Sequence, residues 1–195
     1  MNKKRVRLSK RDQLMKSALE LFAKNGIHAT GIDRIVEHSG VTKKTLYAHF
    51  MSKEELVVAV LHQYDEQARN EIRRQVENGA KTARGRLLAV FDFAEKWFQR
   101  DDFYGCVFIN TIGEFSEKSA PIRQVCQEYK KLLNSYIREL CEQAGAKNPQ
   151  GLAEELGMLL EGATVTAQVS RNPKAARIAK RVARVLIDKG IPTVG

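Results

Sequence analysis

Apolar side chains recur every three or four residues along most of the chain, which is the spacing of one face of an α-helix. The most regular run ends near Gly145 and consists of Ile122, Val125, Tyr129, Leu132, Leu133, Tyr136, Ile137 and Leu140. No stretch alternates apolar and polar residues as a half-buried strand does. The pattern therefore predicts an all-α fold of about nine helices.

Helix-capping residues predict where the longest of the early helices begins. Ser52 with Glu55 has the spacing of a capping box, in which two side chains satisfy the first backbone N–H groups. We expect a long helix from there over about residues 53–77. Later in the chain, the pattern predicts a short apolar helix around residues 104–113, and Asn172-Pro173 opens the last helix.

Residues 30–53 contain two short helical segments on either side of a glycine-containing turn at Ser39-Gly40. Thr42 can cap the second of these segments, which is basic and rich in hydroxyl groups. This is the layout of a helix-turn-helix that inserts its second helix into the DNA major groove.

The charge distribution supports a polyanion as partner. Residues 1–53 carry twelve Lys/Arg against four Asp/Glu, whereas the remainder carries 21 basic and 19 acidic residues within the overall net charge of +10. A solvated charged surface would spread its charge evenly. A basic N-terminal part followed by a nearly balanced part indicates a polyanion-binding module joined to a segment with another task.

Other classes of protein find no support in the residues. No apolar run approaches the ~20 residues that span a bilayer, and the N-terminus lacks the apolar stretch of a secretory signal. No sequence motif of a metalloprotease, a serine hydrolase or a phosphate-binding loop occurs, so we expect no enzyme, no metal and no cofactor.

Cys106, Cys126 and Cys141 cannot all pair within one chain, which favours a reduced cytoplasmic setting. They are read as small buried hydrophobes, with a redox-sensing thiol as the alternative.

A set of motif residues across the helix-turn-helix carries a more specific signal: Gly26, Thr30, Ile35, Gly40-Val41-Thr42, Leu46-Tyr47, His49-Phe50, Lys53 and Leu56. This pattern resembles the DNA-binding domain of the tetracycline-repressor family. The resemblance implies a three-helix DNA-binding domain over residues 1–52 and a ligand-sensing and dimerisation domain over residues 53–195. Gly31 departs from the family pattern, in which Thr or Ser often caps the second helix, and Lys44 stands where many members have glycine.

The predicted interface with double-stranded DNA combines hydrogen-bond donors of the helix-turn-helix with family positions. Its candidate residues are Thr30, Arg34, Thr42, Lys43, Lys44, Thr45, Tyr47, His49 and Lys53. Among them, Lys43, Lys44 and Thr45 are the ones that we expect to face the bases. A homodimer reading two half-sites implies a palindromic operator.

Two of these assignments, and the N-terminal arm, have alternatives. Lys53 is predicted to contact a phosphate, because the positive end of a helix adds to its charge. Thr42 has the alternative role of a helix cap, and His49 that of a solvated surface residue. The N-terminal arm either contacts phosphates or a minor groove, or forms a solubilising tail; its basic residues are Lys3, Lys4, Arg5 and Arg7.

The later part of the chain suggests a ligand pocket. Eight of the fourteen aromatic residues lie between Phe91 and Phe115, too many for one helix face. They fill a core or line a cavity or interface. In the family, the short helix that follows moves when an inducer binds and tilts helix four. The predicted ligand-binding residues are Phe93, Trp97, Cys106, Phe108, Asn110 and Thr111, although a buried Asn110 that only bonds backbone is an equal alternative.

The last two helices are predicted to form the dimer surface, as a four-helix bundle across a two-fold axis, which the resemblance implies. The stripes proposed for this role are Leu152, Leu156, Leu159, Ala163 and Ala167 on one helix, and Ile178, Val182 and Val185 on the other. The leading hypothesis is a repressor released from its operator by a small, largely apolar or aromatic ligand of unknown identity. The alternative is an activator, or a regulator without a small-molecule inducer.

Overall fold

The structure, a computed structural model, describes residues 8–115 and 120–192. Within these ranges the chain forms nine α-helices and no strand, which confirms the all-α prediction. The helices are α1 Lys10–Asn25, α2 Ile32–Ser39, α3 Lys43–His49, α4 Lys53–Gly79, α5 Ala83–Phe98, α6 Val107–Glu114, α7 Ala120–Gln143, α8 Pro149–Ser170 and α9 Lys174–Gly190. The N-terminal arm with Lys3, Lys4, Arg5 and Arg7 lies outside the described residues.

Two compact units divide the helices. The head unit comprises Met1–Asp65 and Val107–Cys126, and the body unit comprises Glu66–Cys106 and Gln127–Gly195. The head unit therefore includes α6 and the first part of α4 in addition to the three N-terminal helices. This grouping differs from the domain boundary after residue 52 that the sequence suggested.

The head is held together by a small apolar core whose residues come from all three N-terminal helices. Leu14 and Ala18 of α1, Ile35 of α2 and Leu46 of α3 are completely buried, and Phe50 closes the same core after α3. Removal of this apolar surface from water stabilises the head by roughly 1.5–3 kcal/mol for each large side chain. The core fixes which face of α3 is left outside.

Side chains cap two helices of the head, at Ser9 and at the predicted Ser52. The N–H of Asp12 donates to Ser9 Oγ over 3.1 Å, and the N–H of Glu55 donates to Ser52 Oγ over the same distance. The Glu55 carboxylate accepts the N–H of Met51, one residue earlier than an ideal capping box would place it. These local bonds satisfy N–H groups that have no partner within their helices.

The short apolar helix α6 begins three residues later than the sequence suggested. Gly105 has a φ of +88°, which an α-helix does not accommodate, and its lack of a side chain leaves space for Gln168 of α8. The helix therefore starts only at Val107. The start of α9 differs from the prediction by one residue, because Pro173 is the N-cap and makes no side-chain cap. Asn172 Oδ1, one residue earlier, accepts the N–H of Lys174 at 3.0 Å.

The body core is built from α5, α8 and α9 together with residues of α4 and α7, and it contains many alanines. Small side chains at these positions allow helices to approach closely. The core includes Phe91 and Ala94 of α5, Leu156 of α8, and Ala176 and Ala183 of α9.

One predicted dimer stripe is wrong. Four of its five residues on α8 are buried in the core of their own chain, so they cannot cover a second copy: Leu152, Leu156, Ala163 and Ala167. Helical spacing identified an apolar face correctly, but α8 has two such faces. The outward apolar face carries Met158, Val165 and Val169 instead. On α9, the predicted Ile178, Val182 and Val185 are exposed.

The cysteines are three buried free thiols, and burial raises the pKa of the Cys141 thiol to about 12. Such a thiol stays protonated, and therefore a weak nucleophile, at neutral pH. Among the described residues, no helix has the length and apolar character needed to cross a membrane.

Candidate nucleic-acid interface

Helix α3 has one buried face and one exposed face. Leu46 and the adjoining Phe50 are buried in the head core. On the other side, Lys43, Lys44 and His49 are exposed, and so is about half of the Tyr47 side chain, at 48%. The side chains left in solvent are thus cationic or hydrogen-bonding groups, of the kind that contact phosphates and base edges in the major groove.

Thr42 acts as the N-cap of α3. Its Oγ1 accepts the N–H of Thr45 at 3.2 Å and lies 2.9 Å from the Thr45 hydroxyl. The capping alternative is therefore seen in the structure. Only one of the two hydroxyls donates in this contact, so the hydrogen of the other hydroxyl can donate to a phosphate or a base.

Lys43 forms an ion pair with Asp33 of α2, with 2.7 Å between Nζ and Oδ1. The hydrogen bond and the negative charge of Asp33 raise the pKa of the Lys43 ammonium. Both side chains are well exposed, and such surface pairs contribute little to stability. Lys43 can therefore exchange Asp33 for a phosphate or a base at little cost.

Lys53 is the first residue of α4 and is partly buried. Burial lowers the pKa of its ammonium group, and the negative charge of Glu114 acts in the opposite direction. A 27-residue helix begins here, so the positive end of α4 adds to the cationic surface beside Lys53. Arg34 of α2 adds a further exposed cation to the head.

Thr30 lies inside the head rather than on its DNA-facing surface. Its side chain is completely buried, and its hydroxyl donates to the carbonyl oxygen of Gly26 at 2.7 Å. Because the Thr30 hydroxyl bonds the turn between α1 and α2, it cannot reach a DNA phosphate. The prediction of Thr30 as a DNA contact is therefore wrong, and its side chain stabilises the fold of the head.

The six predicted ligand-binding residues divide between the two units. Phe93, Trp97 and Cys106 belong to the body unit, where the rings of Phe93 and Trp97 stack with centroids 6.5 Å apart. The other three, Phe108, Asn110 and Thr111, lie on α6 in the head unit. A single pocket formed by all six stays a prediction.

An open groove of about 410 Å³ lies in the body unit. Of the predicted ligand residues it includes Phe93, and its remaining lining is largely polar: Gln75, Gly79, Ala89, Asp92, Glu95, Lys96 and Gln99. This groove differs from the apolar, enclosed pocket that the sequence suggested. Among the described residues, no group of His, Cys, Asp and Glu is arranged to hold a metal ion.

Comparison with protein families decides the class of this chain. Residues 14–60 match the family described as bacterial regulatory proteins, tetR family, and residues 83–183 match the tetracyclin repressor-like C-terminal domain. The chain belongs to the TetR family. It is a DNA-binding transcriptional regulator.

Two helix-turn-helix transcriptional regulators and a solved structure are similar to this chain over different lengths. The transcriptional repressor ComR of Escherichia coli is 28% identical over 172 residues, covering 84% of this chain and 82% of its own. The transcriptional activator FasR of Mycolicibacterium smegmatis is 38% identical over 89 residues, covering 44% of this chain and 41% of its own. The crystal structure of SCO4454, a TetR-family transcriptional regulator from Streptomyces coelicolor, has a TM-score of 0.83 at 27% identity and covers 94% of this chain and 96% of its own.

Two residues of this TetR-family head were absent from the sequence-based set. Arg11 of α1 places its guanidinium 5.4 Å from the centre of the Phe50 ring, next to the end of α3. Its position in the basic N-terminal part was the available signal. Glu114, the last residue of α6, accepts two hydrogen bonds from the turn between α1 and α2. Its position directly after the short apolar helix predicted around residues 104–113 was the available signal.

Proposed function

We propose that this TetR-family regulator is a homodimeric repressor that leaves a palindromic operator when a small, largely apolar or aromatic ligand binds. The observation that carries the DNA-binding part is the division of α3 into a buried apolar face and an exposed cationic face. Within that face, the N-terminal residues Lys43, Lys44 and Thr45 read bases, while Tyr47, His49 and Lys53 contact the DNA backbone.

Dimerisation through α8 and α9 is supported by an exposed apolar patch, here called the α8–α9 patch. It consists of Met158, Val165, Val169, Ile178, Val182 and Val185. Contiguous apolar surface of this kind on a globular protein marks an interaction site. Paired with itself across a two-fold axis, the patch forms a four-helix bundle and gives the dimer the symmetry of a palindromic operator.

The ligand-release part is supported by the aromatic residues of the body. Trp97 lies 5.0 Å from Phe103 and 5.5 Å from Phe98 between ring centroids, so four rings including Phe93 form one cluster. Apolar or aromatic ligands suit such surroundings.

A second candidate is an activator, or a regulator without a small-molecule inducer. The packing of the aromatic cluster against the body core favours it, because rings that contact each other leave little space for a guest. The relative FasR, an activator by name, is similar to 44% of this chain.

The test begins with selection of duplex fragments from a genomic library by the purified full chain. Affinity for the selected duplex is then measured at several salt concentrations. We expect it to fall about 10³-fold or more between 50 and 200 mM salt, because phosphate contacts release counterions. An affinity independent of salt, or failure to enrich any sequence, contradicts the proposal. Transcription in vitro from a promoter carrying the selected site separates repression from activation.

A further inference from the structure

Glu114, at the C-terminal end of α6, forms a two-pronged contact with the turn that joins α1 to α2. One carboxylate oxygen accepts the N–H of Ile27 at 2.8 Å, and the other accepts the N–H of His28 at 2.7 Å. The partners are 86 and 87 residues apart in sequence and belong to the same head unit. Only 24% of the Glu114 side chain is exposed, so these charge-assisted bonds are partly shielded from water.

The turn needs an acceptor at this position. Helix α1 ends at Asn25, and the N–H of Gly26 still bonds back to Phe22. The next two N–H groups lie beyond the reach of that helix, and Glu114 provides the two oxygens that satisfy them. The chain also leaves room for the carboxylate, because a Cβ on Gly26 would lie 3.1 Å from Glu114 Oε1.

A ring contact accompanies the carboxylate. The imidazole of His28 stacks on Phe115, the residue after α6, with centroids 4.7 Å apart. The Nδ1 atom of His28 lies 3.3 Å from Glu114 Oε2. The end of α6 therefore holds both the backbone and a side chain of the turn.

The same turn leads directly into the helix-turn-helix. Thr30 donates its hydroxyl to Gly26 and its N–H to Ile27, and α2 begins two residues later at Ile32. Hydrogen bonds thus connect Glu114 through the turn to Thr30, two residues before the start of α2. Helix α2 in turn packs against α3, because Ile35 and Leu46 are both completely buried in the head core.

We propose that Glu114 is a positioning residue for operator binding, which ties α6 to the α1–α2 turn and thereby sets the orientation of α2 and α3. This inference rests on the proposed function, since it assigns a regulatory route to the same DNA-binding head. It does not require Glu114 to touch DNA. A change at α6 reaches the reading helix through this carboxylate.

The test compares Glu114→Gln with the parent chain, using the duplex selected by the parent. The amide keeps one oxygen acceptor but turns an N–H₂ donor toward a backbone N–H. We expect the Ile27 and His28 amides to exchange hydrogen with solvent about tenfold faster, and affinity for the duplex to fall about tenfold. Plots of affinity against salt should run parallel, because the number of phosphate contacts is unchanged.

A fall in affinity distinguishes loss of the Glu114 contact from the loss of a negative charge alone. Removing a negative charge by itself favours binding to a polyanion. The matched control is Glu37→Gln, which removes the same charge from an exposed position of α2 and should leave affinity equal or slightly higher. Glu114→Asp retains the charge and both oxygens, so it should recover part of the affinity that Glu114→Gln loses.

Several outcomes overturn the proposal. One is a Glu114→Gln chain that binds the selected duplex as tightly as the parent does. Another is faster exchange throughout α1, or equal losses in Glu114→Asp and Glu114→Gln, since either indicates general destabilisation of the head. If the parent itself selects no duplex, the proposed function fails. The exchange of Ile27 and His28 then still reports whether the Glu114 contact exists.

Discussion

The head and the body differ in the amount of large apolar surface that their outer helices expose. On α3 of the head, the exposed residues are mainly cationic or hydrogen-bonding, and Tyr47 is the one large apolar side chain on that helix that is exposed. On α8 and α9 of the body, six large apolar side chains are exposed, among them Val169 at 79% and Val185 at 63%. The first surface suits a polyanion and the second suits a copy of itself.

Because of this difference, binding through the two surfaces should respond differently to salt. Contacts with phosphates weaken as salt rises, because released counterions gain less entropy. Burial of the α8–α9 patch depends on the hydrophobic effect, which added salt does not screen. We therefore expect salt to remove the protein from DNA while leaving the dimer intact.

The largest effect is expected from charges placed in the α8–α9 patch. Val182→Glu combined with Val185→Glu should yield a monomer at micromolar concentration, because two unpaired carboxylates would have to leave water on pairing. Affinity for the selected duplex should fall by about 100-fold, since the two heads no longer bind as one linked pair. Sedimentation and duplex titration measure the two consequences.

The control for this change is Gln127→Glu, which adds a carboxylate to an exposed position on α7. It should leave both the dimer and the affinity unchanged. A Val182→Glu, Val185→Glu chain that sediments as a dimer would show that the patch is not the dimer surface.

An intermediate effect is expected within the head, where two lysines have different roles. Lys44→Ala should reduce discrimination between the selected duplex and single-base variants by about tenfold, because it removes a base-reading donor. Lys53→Ala should weaken binding to all duplexes alike and lower the salt slope by about one, because it removes a phosphate contact. Titration against a panel of variant duplexes measures both, and identical profiles for the two variants would contradict the assignment of roles.

The smallest effect concerns the N-cap of α2. Gly31 has a φ of −79°, makes no side-chain cap and has open space where a Cβ would be. Gly31→Ser should raise the free energy of unfolding by about 0.5 kcal/mol, by adding a cap and restricting the unfolded chain. Chemical denaturation measures this change.

The same substitution at Gly40 serves as its counterpart. Gly40 has a φ of +64°, so Gly40→Ser should lower the free energy of unfolding by about 1 kcal/mol. If both substitutions changed the free energy of unfolding in the same direction, backbone conformation would not explain the effect of a side chain at these two glycines.

The helices of the fold were predictable because their signals are local. Ser9, Thr42 and Asn148 accept N–H groups three residues ahead, and the glycines at positions 26 and 40 have the positive φ that ends a helix. A residue and its partner lie within one turn of each other in these cases, so spacing alone indicates the structure.

Other features of the fold and of the candidate site could not be predicted, because they depend on contacts between distant segments. Thr30 is part of the family motif, but its burial against Gly26 depends on how α1 and α2 pack. The apolar stripe on α8 could not be assigned to the core or to the surface, because helical periodicity does not say which neighbour covers a face. The role of Glu114 depends on two amides that are more than eighty residues away.

The contact at Glu114 also bears on the engineering of hybrid regulators, in which one protein's DNA-reading segment is exchanged for another's. A junction placed after residue 52 would separate Ile27 and His28 from the carboxylate that binds them. The imported turn would then have to supply a glycine at the position of Gly26, so that a foreign acid could approach. The practical unit of exchange is therefore the N-terminal segment together with the end of α6, transplanted as a matched pair.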